Sequence, residues 1–91
     1  MPKFIIERNL PGIGKSSFEE LQKISEKSNN VLQELGPRIT WLHSYVTDDK
    51  IYCVYKAENE ELIREHAKKG GFPANSIMEI GTVISPATAE N

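Results

Sequence analysis

Three side chains in this sequence, His43, Cys53 and His66, are suited to a borderline transition metal. Nickel, zinc and copper accept imidazole and thiolate, often completed by carboxylate or water. No CxxC or HExxH spacing gathers these residues locally, so a site must be assembled by the fold. Two assemblies are open. His66 approaches Cys53 if a helix lays the imidazole over a strand that turns its thiol inward. His43 and Glu7 share the opposite sheet face, where a dimer interface can complete a mixed nitrogen and oxygen site.

Each residue also has a plainer reading. His66 suits the edge of a core, with one ring nitrogen hydrogen-bonded. Cys53 is flanked by Tyr52 and Val54, which offer no cation to activate a thiolate, and a small buried apolar role fits it as well. Glu7 can pair with a lysine or with the partner's Arg8. Asp48 and Asp49 suit a solvated turn better than a hard-metal site. The loop "LPGIGK" lacks the G-x-x-x-x-G-K-[ST] spacing of a phosphate loop, and its glycines need mean only a tight crossover.

The elements that must position these groups follow from pattern. Lys3 to Leu10 reads as a strand, stopped by Pro11-Gly12 and Gly14. Ser16 or Ser17 caps a helix, with Glu19 or Glu20 completing a capping box, and Phe18, Leu21, Ile24, Val31, Leu32 and Leu35 recur at helical spacing. Gly36-Pro37 ends it. Ile39 to Val46 and Ile51 to Ala57 are strands around Thr47–Lys50. Asn59 caps a second helix that turns Leu62, Ile63, His66 and Ala67 inward and stops at Gly70-Gly71. Ser76 to Ile84 is a last strand, and residues from about 85 to 91 form a polar tail.

This order, βαββαβ, is the α+β ferredoxin-like pattern: a single-domain sandwich with an antiparallel sheet whose first and third strands lie in the centre. Two helices cover one sheet face, yet both faces of the second strand look suited to burial. A second copy packed on the open face, as in dimeric α/β barrels, is the simplest remedy.

Hairpin register decides which residues share a face. Asp48-Asp49 lacks the glycine of tight primed turns, so a four-residue loop is expected, pairing Val46 with Ile51 and Ser44 with Cys53. Leu42, Ser44, Val46, Ile51, Cys53 and Tyr55 then face the helices. Trp41, His43, Tyr45, Tyr52, Val54 and Lys56 face the partner.

A net charge of −2 and a pI near 5.7 give no electrostatic reason to expect nucleic acid or an anionic membrane. An RNA-recognition module shares the topology, but Lys50-Ile51-Tyr52-Cys53-Val54-Tyr55 lacks the glycine and the full pattern of its third strand. With one cysteine no internal disulfide forms. "MPKFIIERNL" has no signal-peptide character, so a cytoplasmic protein is expected.

The segments Glu7-Arg8, "WLHSYVTDDKIYCVYKA" and "HAKKGGFPANSIMEI" resemble a small ferredoxin-like family of unknown function that includes a nickel-binding, dimeric bacterial protein. The resemblance runs from Lys3 to about Pro86. It implies a ferredoxin-like homodimer and a divalent transition metal such as nickel, and matches Cys53 and His66 to family positions. It brings no enzymatic activity and no organic cofactor. Two functions therefore stand. One is a metal-binding protein drawing on His43, Cys53, His66 and Glu7. The other is a cofactor-free enzyme acting on a small aromatic or apolar molecule, with Trp41, His43, Tyr45 and Tyr52 lining its pocket.

Overall fold

The structure is a computed structural model that describes residues 1–90. Strand β1 spans Lys3–Asn9, helix α1 Phe18–Leu35, strands β2 and β3 Ile39–Val46 and Lys50–Ala57, helix α2 Glu60–Gly70 and strand β4 Ser76–Ile80. Short 3-10 turns cover Ile13–Lys15 and Pro86–Glu90.

Local chemistry starts and stops the helices. Ser17 Oγ accepts from the Glu20 amide at 3.1 Å while Glu20 Oε1 accepts from the Ser17 amide at 3.0 Å, a full capping box. The Ser17 amide holds the Glu20 carboxyl below its ordinary value, aided by the Ser17 hydroxyl. Asn59 Oδ1 accepts from the Leu62 amide at 3.1 Å to open α2, and Gly71, left-handed at φ 70°, closes it. Glu60 and Glu61 in the first turn and Lys68 and Lys69 in the last suit the helix dipole.

The sheet is antiparallel in the order β2-β3-β1-β4, with β1 and β3 central as the topology requires. Phe4 and Ile6 from β1, Ile51, Cys53, Tyr55 and Ala57 from β3, and Leu62 and Ile63 from α2 form the core on the helix side. Ile5, Glu7, Tyr52 and Met78 line a shallow hollow on the other face, where Tyr45 and Met78 are each 60% exposed.

The β2–β3 turn holds the expected register, with Ser44 opposite Cys53 and Val46 opposite Ile51, closed by the Thr47 amide donating to the Lys50 carbonyl at 2.9 Å. Four expectations are corrected. A bulge at Leu42 shifts the earlier part of β2, so Trp41 pairs with Tyr55 on the helix side instead of standing beside His43. Leu42, expected inside, is 38% exposed. Phe18, placed on the apolar stripe of α1, is 81% exposed because the first helical turn runs past the edge of the core. β4, expected to run to Ile84, ends at Ile80, opposite Lys3, the first residue of β1; Val83 and Ile84 beyond it are exposed.

The glycine-rich loop is a packing device. The Gly14 amide donates to the Asp48 carbonyl at 2.9 Å, and Asp49 Oδ1 accepts from the Gly12 amide at 2.9 Å. A side-chain carbon at Gly14 would lie 2.7 Å from Asp48 Cα. The aspartate pair therefore ties the β2–β3 turn to the first crossover.

Candidate functional site

The sheet's pleat gives β1 two faces, and Phe4, Ile6 and Arg8 share the inner one. Arg8 is thus carried into the core at 3% exposure. Its Nε donates to Cys53 Sγ at 3.4 Å, and its Nη1 donates to the Pro73 carbonyl at 2.7 Å. The guanidinium carbon lies 5.5 Å from the centre of the Phe72 ring, within cation–π range. Nη2 has no hydrogen-bond partner among the described residues.

His66 reaches the same region from α2 and is fully buried. Its Nε2 lies 3.0 Å from Ser28 Oγ on α1, and its ring packs against Tyr55 and Phe72 with centroids 5.3 and 5.5 Å away. Burial lowers the His66 pKa to about 4; the Arg8 charge pushes the same way and a hydrogen bond with the Ser28 backbone opposes it. Burial also raises the Tyr55 phenol, with Cys53 adding to the rise and the Arg8 guanidinium and Ser28 hydroxyl working against it.

A pocket of about 170 Å³ lies between α1 and the sheet, its walls including Leu21, Ile24, Trp41, Val46, Ile51 and Tyr55, with Arg8 and Cys53 also lining it. Trp41 Nε1 donates to Ser44 Oγ at 2.9 Å along this wall. No aspartate or glutamate lines the pocket.

The four candidate ligands divide between the two faces. Cys53 and His66 both lie on the inner face, where Arg8 donates to the thiol and Ser28 Oγ meets Nε2 of the imidazole, while Nδ1 of His66 has no hydrogen-bond partner among the described residues. His43 and Glu7 lie on the outer face: His43 packs edge-on to Tyr45 with centroids 5.2 Å apart, and Glu7 Oε1 is 3.5 Å from Lys50 Nζ. Within one chain β3 separates them, since His43 pairs with Val54 and Glu7 with Tyr52; sheet spacings put them roughly 12 Å apart. No group of three His, Cys, Asp or Glu side chains able to hold a metal occurs among the described residues. The aromatic pocket expected for an enzyme is likewise divided, with Trp41 inside and His43, Tyr45 and Tyr52 outside. Arg8 and Ser28 were not among the expected site residues, although Arg8 stands in phase with Phe4 and Ile6.

The model of the nickel-responsive SCO4226-like family matches residues 4–80. The chain belongs to that family. The crystal structure of SCO4226 from Streptomyces coelicolor A3(2) superposes with a TM-score of 0.76 at 14% identity, covering 90% of this chain and 99% of that one. That likeness establishes the ferredoxin-like fold for this SCO4226-like chain. No curated protein matches it. No described helix is long and apolar enough to cross a membrane.

Proposed function

We propose that this SCO4226-like protein binds nickel or a similar divalent metal on the outer face of its sheet, as a homodimer. His43 supplies the imidazole and Glu7 of a second copy an oxygen ligand. The family description, nickel responsive, supports the metal. The position of Arg8 supports the face.

Arginine stays charged at any working pH, and Arg8 is buried against Cys53. A divalent cation brought to Cys53 or His66 would meet that charge at low dielectric, where repulsion is strong. His43 is exposed and free of this penalty. In this reading a two-fold dimer through the outer face places His43 of one copy and Glu7 of the other at a shared site, with Glu7 giving up its contact with Lys50. Protons compete for imidazole and carboxylate alike, so affinity falls as the solution is acidified.

Calorimetric nickel titration of untagged protein tests this. His43→Ala is expected to weaken binding at least tenfold, with Cys53→Ser and His66→Ala close to wild type. Loss in Cys53→Ser with His43→Ala unaffected would move the site to the inner face. Absence of nickel binding by the wild type would end the proposal.

A further inference from the structure

We propose that the pocket between α1 and the sheet binds a small monocarboxylic acid with an apolar body, its carboxylate seated on Arg8. Arg8 is 97% removed from solvent, yet Nη2 has no hydrogen-bond partner among the described residues. Lysine or histidine would shed its proton in such a place, but arginine does not. Cys53, the Pro73 carbonyl, the Tyr55 hydroxyl and the Phe72 ring surround the guanidinium without supplying a full negative charge. Among the described residues the ion pairs involve Arg38, Lys50, Arg64 and Lys69, none of them Arg8. A buried cation left uncompensated is costly, and a guest carboxylate offsets that cost through charge-assisted hydrogen bonds.

Size and wall chemistry define the rest of the guest. About 170 Å³ is close to the roughly 150 Å³ apolar cavity that accepts benzene. Leu21, Ile24, Val46 and Ile51 give it aliphatic walls and Trp41 an aromatic one. Cations are refused by Arg8, and bare inorganic anions leave those walls uncovered. The Tyr55 hydroxyl lies close enough to Arg8 for the guanidinium charge and a side-chain hydrogen bond to act on the phenol, and it stands as a further donor to the carboxylate.

Benzoate is the probe, added to the metal-free wild-type protein with chelator present so that the result is independent of nickel. Titration followed by amide chemical shifts is expected to show saturable binding at about 1 mM or tighter, with shifts centred on Arg8, Ile24 and Ser44. Benzamide, of equal shape and no charge, is expected to bind at least tenfold more weakly, and inorganic phosphate not to bind in the pocket. Ile24→Trp fills the space and is expected to abolish binding while circular dichroism remains native. Arg8→Met is expected to abolish it too. Because that variant risks misfolding, the benzoate–benzamide comparison on wild type carries the decision. Absence of benzoate binding to about 10 mM, equal affinity for benzamide, or equal affinity for phosphate overturns the proposal.

Discussion

The indole of Trp41 donates to the hydroxyl of Ser44 at 2.9 Å, although the two are three residues apart on one strand. In a regular strand such residues point to opposite faces. The bulge at Leu42 absorbs one residue and brings both to the helix side, where the indole gains an apolar wall and an acceptor for its N–H.

Deleting Leu42 should consequently be mild. Trp41↔Tyr55 and His43↔Val54 are already consecutive rungs of the ladder, so deletion joins them without changing either register. Urea denaturation is expected to show a change within about 1 kcal/mol, and tryptophan emission to stay native-like. A loss above about 3 kcal/mol would mean that the bulge itself is required.

Gly14→Ala tests the tie between the first loop and the β2–β3 turn. The added carbon meets backbone at Asp48 Cα, 2.7 Å away, and the Thr47 carbonyl oxygen, 2.8 Å away. A destabilisation of about 1–3 kcal/mol is expected. Gly81→Ala meets no atom within 4 Å and serves as the control, expected to be neutral or slightly stabilising in the same denaturation assay.

His66 makes stability depend on acid. Its ordinary value of 6.5 is lowered to about 4 in the folded protein, so the unfolded chain takes up the proton first. The stabilisation is complete above about pH 6.5 and is lost as pH falls towards about 4, amounting to roughly 2 kcal/mol after allowance for solvent relaxation. Thermal melts across that range should show the loss in wild type and a shallower slope in His66→Phe. A ring-proton titration with its midpoint near 6.5 would contradict the burial argument.

Association through the outer face is expected to hide more than about 1,000 Å² in total. Tyr45 and Met78 are large apolar side chains exposed there, and Met78→Glu should shift light scattering from dimer to monomer at micromolar concentration. Identical monomeric masses for both proteins would remove the dimer, and with it the two-copy metal site.

Much of the architecture was legible because local signals agreed with one another. The capping box at Ser17 and Glu20, the Asn59 cap and the glycine stops delimit the helices, and the Asp48-Asp49 turn places Ser44 opposite Cys53. The side taken by Trp41 was not legible. A bulge costs one residue and needs no glycine, so "TWLH" reads as plain alternation. Arg8 is hidden for another reason: charged residues are rarely buried, so its being in phase with Phe4 and Ile6 carries little signal. The outer-face metal candidates, two strands apart in one chain, would acquire a common centre only across two chains, a relationship that residue order does not encode.

Cys53 is the sole thiol of the chain, 5% exposed and on the pocket wall. A thiol-specific reagent therefore reaches the thiol through the pocket or when α1 lifts from the sheet, and the alkylation rate becomes a clock for access to that space. Any occupant of the pocket would slow the clock in proportion to the time it spends bound, so one side chain reports both the breathing of the core and the residence of its guest.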